Sequence, residues 1–216
     1  VLSAKGAFET FPTFSPDGRS LYFCSSKAVS PMPEKYREAR YNLCRVDFDP
    51  DACTFGAVVD TLTNAAATGK SVSYPRVSPD GKYLVYALSD YGNFSIWHKE
   101  ADLYMLDLEN GNVACMDALN SDDVESYHSW SGNSRWLAFS SRRDDGLYTK
   151  PYFAYVDADG MARKAFLLPQ KNPRKFYDSQ MFSYNIPELV SGDVNYGGNQ
   201  IASFANDADG KKVGYK

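Results

Sequence analysis

Phe11-Pro12-Thr13-Phe14-Ser15-Pro16-Asp17-Gly18-Arg19-Ser20-Leu21-Tyr22-Phe23 returns as Tyr74-Pro75-Arg76-Val77-Ser78-Pro79-Asp80-Gly81-Lys82-Tyr83-Leu84-Val85-Tyr86. It returns again, in looser form, as Tyr127-His128-Ser129-Trp130-Ser131-Gly132-Asn133-Ser134-Arg135-Trp136-Leu137-Ala138-Phe139. The three copies align without a gap. In each, apolar positions alternate up to a Ser, a tight turn follows, and a second apolar run leaves it, which is the pattern of a β-hairpin. Ser-Pro-Asp-Gly suits the turn because Pro presets φ at the second position, Asp tolerates the bridge conformation, and Gly takes the positive φ that returns the chain. The third copy keeps turn formers but loses the Pro.

A second block follows each hairpin: Asn42-Leu43-Cys44-Arg45-Val46-Asp47, Asp102-Leu103-Tyr104-Met105-Leu106-Asp107 and Tyr152-Phe153-Ala154-Tyr155-Val156-Asp157. Turn chemistry comes next, then a fourth apolar run near 55–62, 113–116 and 165–168. Four strands per unit result. Pro16, Pro79 and Gly132 occupy the same turn position and stand 63 and 53 residues apart, a period that fits four-stranded propeller blades with loop insertions. A meander sandwich also makes regularly spaced hairpins, but it does not explain why turn, strand and terminal Asp recur in phase. The expected fold is therefore all-β: a β-propeller of four-stranded antiparallel blades at 9–62, 72–119 and 125–169. Residues 170–216 then form an irregular tail or a partial fourth blade, with a short strand at Gln200–Phe204 and a turn at Ala208-Asp209-Gly210.

This hairpin followed by an Asp-Leu-Tyr-Met-Leu-Asp strand resembles the TolB-like, WD-repeat-like β-propeller repeat of bacterial envelope proteins, over residues 9–169. The stretch Ser140-Ser141-Arg142-Arg143-Asp144-Asp145-Gly146-Leu147-Tyr148 is similar to propeller proteins of Bacteroidetes. The resemblance implies a propeller and a periplasmic or outer-membrane-associated setting, and says less about activity. Three blades do not close a ring, so the chain reads as part of a larger propeller whose remaining blades, or another chain, complete it.

The composition agrees. Of 216 residues 44% are hydrophobic, 23% charged and 15% aromatic, an aromatic load that suits sheet. A net charge of −4, from 23 basic and 27 acidic side chains, supplies no positive field for a phosphate backbone, so nucleic acid is not an expected partner. No apolar run is long enough to span a membrane. The sequence starts at Val1, as a trimmed envelope protein would. Cys24, Cys44, Cys53 and Cys115 form no metal-type spacing with the two histidines, so neither metal nor cofactor is expected. They fit either buried thiols or disulfides, with Cys24 and Cys44 within reach of each other if the hairpin register allows.

Function is expected on the loops joining second to third strands (25–41, 89–101 and 140–150), which a propeller gathers on one face. They carry the candidate binding residues Tyr36, Arg40, Tyr91, Trp97, His98, Arg142, Arg143 and Tyr148, a mixture of aromatic and Arg side chains of the kind that forms binding hot spots. Residues 34–40 are expected to form one or two helical turns, with Pro33 at the first helical position. The plainer alternative packs the aromatics over blade edges and pairs Arg142 and Arg143 with Asp144 and Asp145. His98 reads as a surface residue, and His128 as a solvated or hydrogen-bonded residue of the channel. Asp47, Asp107 and Asp157 read as turn caps.

There is no Gly-x-Ser-x-Gly, Walker loop or dinucleotide fingerprint, and two histidines do not make a several-His lyase metal site. A non-catalytic module recognising a protein, peptide or glycan is the expectation. The alternative is the accessory propeller of a peptidase or polysaccharide lyase with its catalytic residues elsewhere.

Overall fold

The computed structural model of the protein describes residues 6–32 and 34–206. Among these are three four-stranded antiparallel sheets, each folded in simple chain order. The first holds β1 (Ala7–Phe14), β2 (Ser20–Lys27), β3 (Asn42–Asp49) and β4 (Thr54–Thr63); the second β5 (Ser71–Val77), β6 (Tyr83–Ser89), β7 (Asp102–Asp107) and β8 (Val113–Cys115). The third holds β9 (Glu125–Trp130), β10 (Trp136–Ser141), β11 (Lys150–Tyr155) and β12 (Phe166–Leu167). β1 packs near β5 and β5 near β9, so the first strands are innermost. These are successive blades of a partial β-propeller.

The repeated turns are built alike. The amides of Ser15 and Ser78 each donate to the carbonyl of Ser20 or Tyr83 on the far strand, and their Oγ atoms accept that residue's amide (2.9 and 3.0 Å) and donate to Asp17 or Asp80 (2.5 and 2.6 Å). Gly18 and Gly81 take φ of 69° and 76°. In the third copy Asn133 replaces the Asp, accepting from Ser131 at 2.6 Å, and Ser134 holds the left-handed position at φ 58°. A non-glycine residue there carries backbone strain. Ser134 also makes a contact no glycine can, since its Oγ accepts the Asp80 amide of the preceding blade at 2.9 Å.

Strand β6 is apolar on both faces and buried throughout. Leu84, Tyr86 and Leu88 pack with Tyr22, Cys24, Tyr41 and Leu43 of the first blade. Tyr83, Val85 and Ala87 pack with Leu137, Phe139 and Tyr152 of the third. Each such side chain contributes about 1.5–3 kcal/mol by leaving water, so the middle blade is held from both sides.

A bulge interrupts each innermost strand at the same repeat position, and Phe11, Tyr74 and Tyr127 sit there at φ 53°, 52° and 51°. The bulges turn these rings out of the pleat, so that they meet across neighbouring blades. Ring centroids lie 4.2 Å apart for Phe11–Tyr74 and 4.8 Å for Tyr74–Tyr127. Burial, followed by the contact with Tyr127, raises the Tyr74 hydroxyl well above its usual range.

Beyond the third blade the tail departs from expectation. After the short α1 (Ala65–Thr68) that links the first two blades, the tail supplies α2 (Pro173–Asp178), and Gln200–Phe204, expected as a strand, lies within α3 (Gly198–Ala205). Ile201, Phe204 and Ala205 follow helical spacing rather than alternation, and the Gln200 side chain caps the helix by accepting the Gly197 amide at 2.9 Å. The expected turn at 208–210 and Pro33 lie outside the described residues. Between α2 and α3 the chain crosses the third blade on the side away from the second. Ser129 donates to the Pro187 carbonyl at 2.6 Å, Ser140 to the Tyr184 and Asn185 carbonyls, and Thr149 accepts the Tyr184 amide at 3.0 Å.

Register separates Cys24 from Cys44: Cys24 pairs with Leu43 and Cys44 with Phe23, so the two thiols point to opposite faces. All four cysteines are free thiols.

Candidate functional site: the loop face

The three loops between second and third strands meet. Tyr36, in a 3-10 turn at Tyr36–Glu38, sets its ring against Tyr91 (5.5 Å) and Phe94 (6.4 Å). Its carbonyl accepts from Asn93 Nδ2 at 2.9 Å, and the Gly92 amide reaches the Ala39 carbonyl at 2.8 Å. A side chain at Gly92 would collide with the Tyr41 ring, 2.2 Å from an added Cβ, so the close crossing of the first two loops requires glycine. Arg37 lies 5.6 and 5.9 Å above the Tyr36 and Tyr91 rings. The second loop joins the third where the Arg142 guanidinium sits 5.0 Å from the Trp97 ring, an attraction that strengthens as the cation is desolvated.

Beneath this surface lies a buried polar layer. Glu125, wholly buried, accepts from Arg143 Nη2 (2.9 Å), Ser121 Oγ (2.7 Å), the Ser121 amide (2.9 Å) and Ser141 Oγ (2.8 Å). Burial pushes its carboxyl up, against the pull of these partners. Arg143 also lies 4.5 Å over the Tyr152 ring. Arg142 approaches Asp123 at 3.4 Å. The arginines therefore do not pair with Asp144 and Asp145. Those two carboxylates share Lys150 Nζ at 3.3 and 3.1 Å. Burial works against the lysine's charge, but the bonds from Asp145 and Asp144 outweigh it and raise its pKa.

The expected site residues thus divide. Tyr36 and Tyr91 are half-buried neighbours on the face, and Trp97 is 67% exposed. Arg142 and Arg143 turn inward toward Asp123 and Glu125, at 3.4 and 2.9 Å. Arg40 turns aside, its Nε donating to the Gly69 carbonyl at 3.3 Å. Tyr148 belongs to the third loop, its amide capped by Asp145 Oδ1 at 2.9 Å.

His98 is not a surface residue. It is buried, with Nδ1 2.8 Å from Glu100 and Nε2 3.0 Å from the Asn93 carbonyl, and its ring lies 4.0 Å from that of Tyr91. His128 is the hydrogen-bonded residue of its two expected readings, and not the solvated one. It lies wholly buried between the second and third blades, its Nε2 2.9 Å from the Val85 carbonyl, and burial lowers its pKa to about 4.

One residue outside the expected set belongs to the face. Phe94 is 71% exposed and held at φ 56° at the start of the 3-10 turn Ser95–Trp97. A bulky side chain in a left-handed conformation and in solvent is uncommon. Nothing in the local sequence announces it beyond its place between Tyr91 and Trp97.

No protein-family model matches the chain, and no curated protein matches it. Solved structures do. A puromycin-hydrolysing peptidase of Mycobacterium tuberculosis is similar at a TM-score of 0.52 with 14% identity, over 76% of this chain and 24% of its own. A puromycin hydrolase follows at 0.50 and 18%, with the same coverage. An oligogalacturonate lyase of Vibrio parahaemolyticus has a TM-score of 0.44 and 17% identity, over 73% of this chain and 38% of its own. The chain spans about a quarter of the two hydrolases. The likeness is one of fold, that of their β-propeller domains.

Proposed function

We propose that the chain is a non-catalytic binding segment of a bacterial-envelope β-propeller that takes a protein, peptide or glycan on its loop face, and not nucleic acid. The observation that supports this reading is the pair Phe94 and Trp97. Both are large, aromatic and more than two-thirds exposed, on a loop fixed by His98 and braced by the Arg142–Asp123 pair. Exposed aromatics on a braced loop supply contact area at little entropic cost.

The test compares wild type with Phe94→Ala and Trp97→Ala on peptide and glycan arrays, with melting measured alongside. Loss of a wild-type ligand by about tenfold or more, at unchanged melting temperature, is the expected result. Affinity unmoved by both substitutions removes the reading.

A second reading rests on the shared fold with the puromycin-hydrolysing enzymes: these blades serve as the accessory propeller of an enzyme whose catalytic groups lie on other sequence. Coding sequence adjoining these residues decides between the two. A Gly-x-Ser-x-Gly motif or a set of histidines there favours the enzyme; further repeats alone favour the binding module.

A further inference from the structure

A cavity of about 570 Å³ opens beside the loop face, between the third loop and α2. Asp144, Asp145, Tyr148, Lys150, Tyr177 and Gln180 are among its lining residues. Gln180 is only 6% exposed. Its amide nitrogen donates to the carbonyls of Phe182 (2.5 Å) and Thr149 (3.3 Å), which fixes the amide orientation and leaves Oε1 without a partner. That oxygen is itself enclosed, so the groups open to a ligand are the charged and aromatic side chains around it.

The neighbouring groups narrow the ligand. Asp144 accepts the Tyr152 hydroxyl at 2.7 Å on one oxygen and Lys150 on the other. Asp145 Oδ1 takes the amides of Leu147 and Tyr148, and its Oδ2 takes Lys150. A carboxylate oxygen has two acceptor sites, so both Asp144 oxygens and Asp145 Oδ2 each keep one in reserve. Lys150, with three protons and two carboxylate partners, keeps a donor. Arg174 and Asp178 complete the charged lining, so three carboxylates face two cations. A strong anion meets the carboxylates and a strong cation meets Lys150 and Arg174. Hydroxyl groups, which donate and accept at once, suit both sets, and the half-exposed Tyr148 ring offers a flat face for a ring's C–H edge.

We infer that this cavity binds a neutral sugar ring of an oligosaccharide, a reading that rests on the loop face being a binding surface and specifies its ligand class. Calorimetric titration of the chain with maltotriose, cellotriose, xylotriose, laminaritriose and mannotriose tests it, with trigalacturonate and trilysine as charged probes. At least one neutral trisaccharide is expected to bind, and Asp144→Asn and Tyr148→Ala each to weaken it about tenfold at unchanged melting temperature, consistent with loss of one strong hydrogen bond or one stacking face. Binding only of a charged probe, no sugar binding, or neutral-sugar binding unmoved by both variants overturns the inference. If a ligand dependent on Phe94 and Trp97 is still bound in that case, the loop-face reading stands and only the sugar site falls.

Discussion

The middle and third blades are written in the same repeat and end in different surroundings. Strand β6 keeps apolar residues on both faces from Tyr83 to Leu88 and is clamped between two neighbours. Its counterpart β10 sends Leu137 and Phe139 into the core but carries Ser140 on the other side, where that hydroxyl holds the tail. Trp136, Tyr155 and Phe166 remain 37–43% exposed on the third blade's outer part. Hairpin geometry is thus a property of the repeat, while the depth of burial is written separately, face by face.

The sharpest way to break this comparison is to truncate matched positions. Tyr83→Ala removes a side chain buried against the third blade and is expected to cost about 3 kcal/mol, whereas Trp136→Ala, at the same repeat position, costs about 1.5. Urea unfolding of both variants measures it, and equal losses would mean the two blades are equally clamped.

The seam between these blades predicts an effect visible in pH. His128 has a folded pKa lowered to about 4, against about 6.5 when unfolded. Below pH 6.5 the unfolded chain takes up a proton that the folded seam refuses. Stability is therefore full above pH 6.5 and falls toward pH 4, by about 3 kcal/mol over the whole window. Asp17, Asp80, Asp90 and Asp145 have lowered pKa values and withdraw their stabilisation at more acidic pH. The slope between pH 6.5 and 5 should therefore flatten in His128→Gln. A slope that persists in the variant would assign the acid sensitivity elsewhere.

The smallest effect separates turns that look alike. Asp107 accepts the amides of Glu109 and Asn110 at 2.9 and 3.2 Å, so Asp107→Ala is expected to cost about 1 kcal/mol. Asp47 binds Arg45 at 2.7 Å in solvent, while Asp49 takes the turn amides, so Asp47→Ala should cost about 0.3 kcal/mol. Thermal melts of the two variants rank them.

These cases show where the sequence was readable. Turn chemistry is local, so the sequence alone places Ser15, Ser78 and Ser131 in their turns, and the caps at Asp107 and Asp157. Asp47 misled because a cation two residues away competes for it, which spacing does not reveal. The convergence of the loops followed from the repeat, but which side chain of a loop turns inward did not. Trp97 and His98 are adjacent, and the polar one turns inward, where Glu100 and the Asn93 carbonyl lie within hydrogen-bond distance of its ring nitrogens. Gln200–Phe204 was too short to show its period clearly. Arg142 and Arg143 found partners in Asp123 and Glu125, some twenty residues upstream, a pairing that only the folded loop order creates.

The left-handed aromatics at Phe11, Tyr74 and Tyr127 give the array a direction. Every unit carries its own joint at the same point of its innermost strand, so duplicating a unit duplicates the fastening that holds it. A propeller assembled this way can lengthen by copying, without a new interface being invented at each addition.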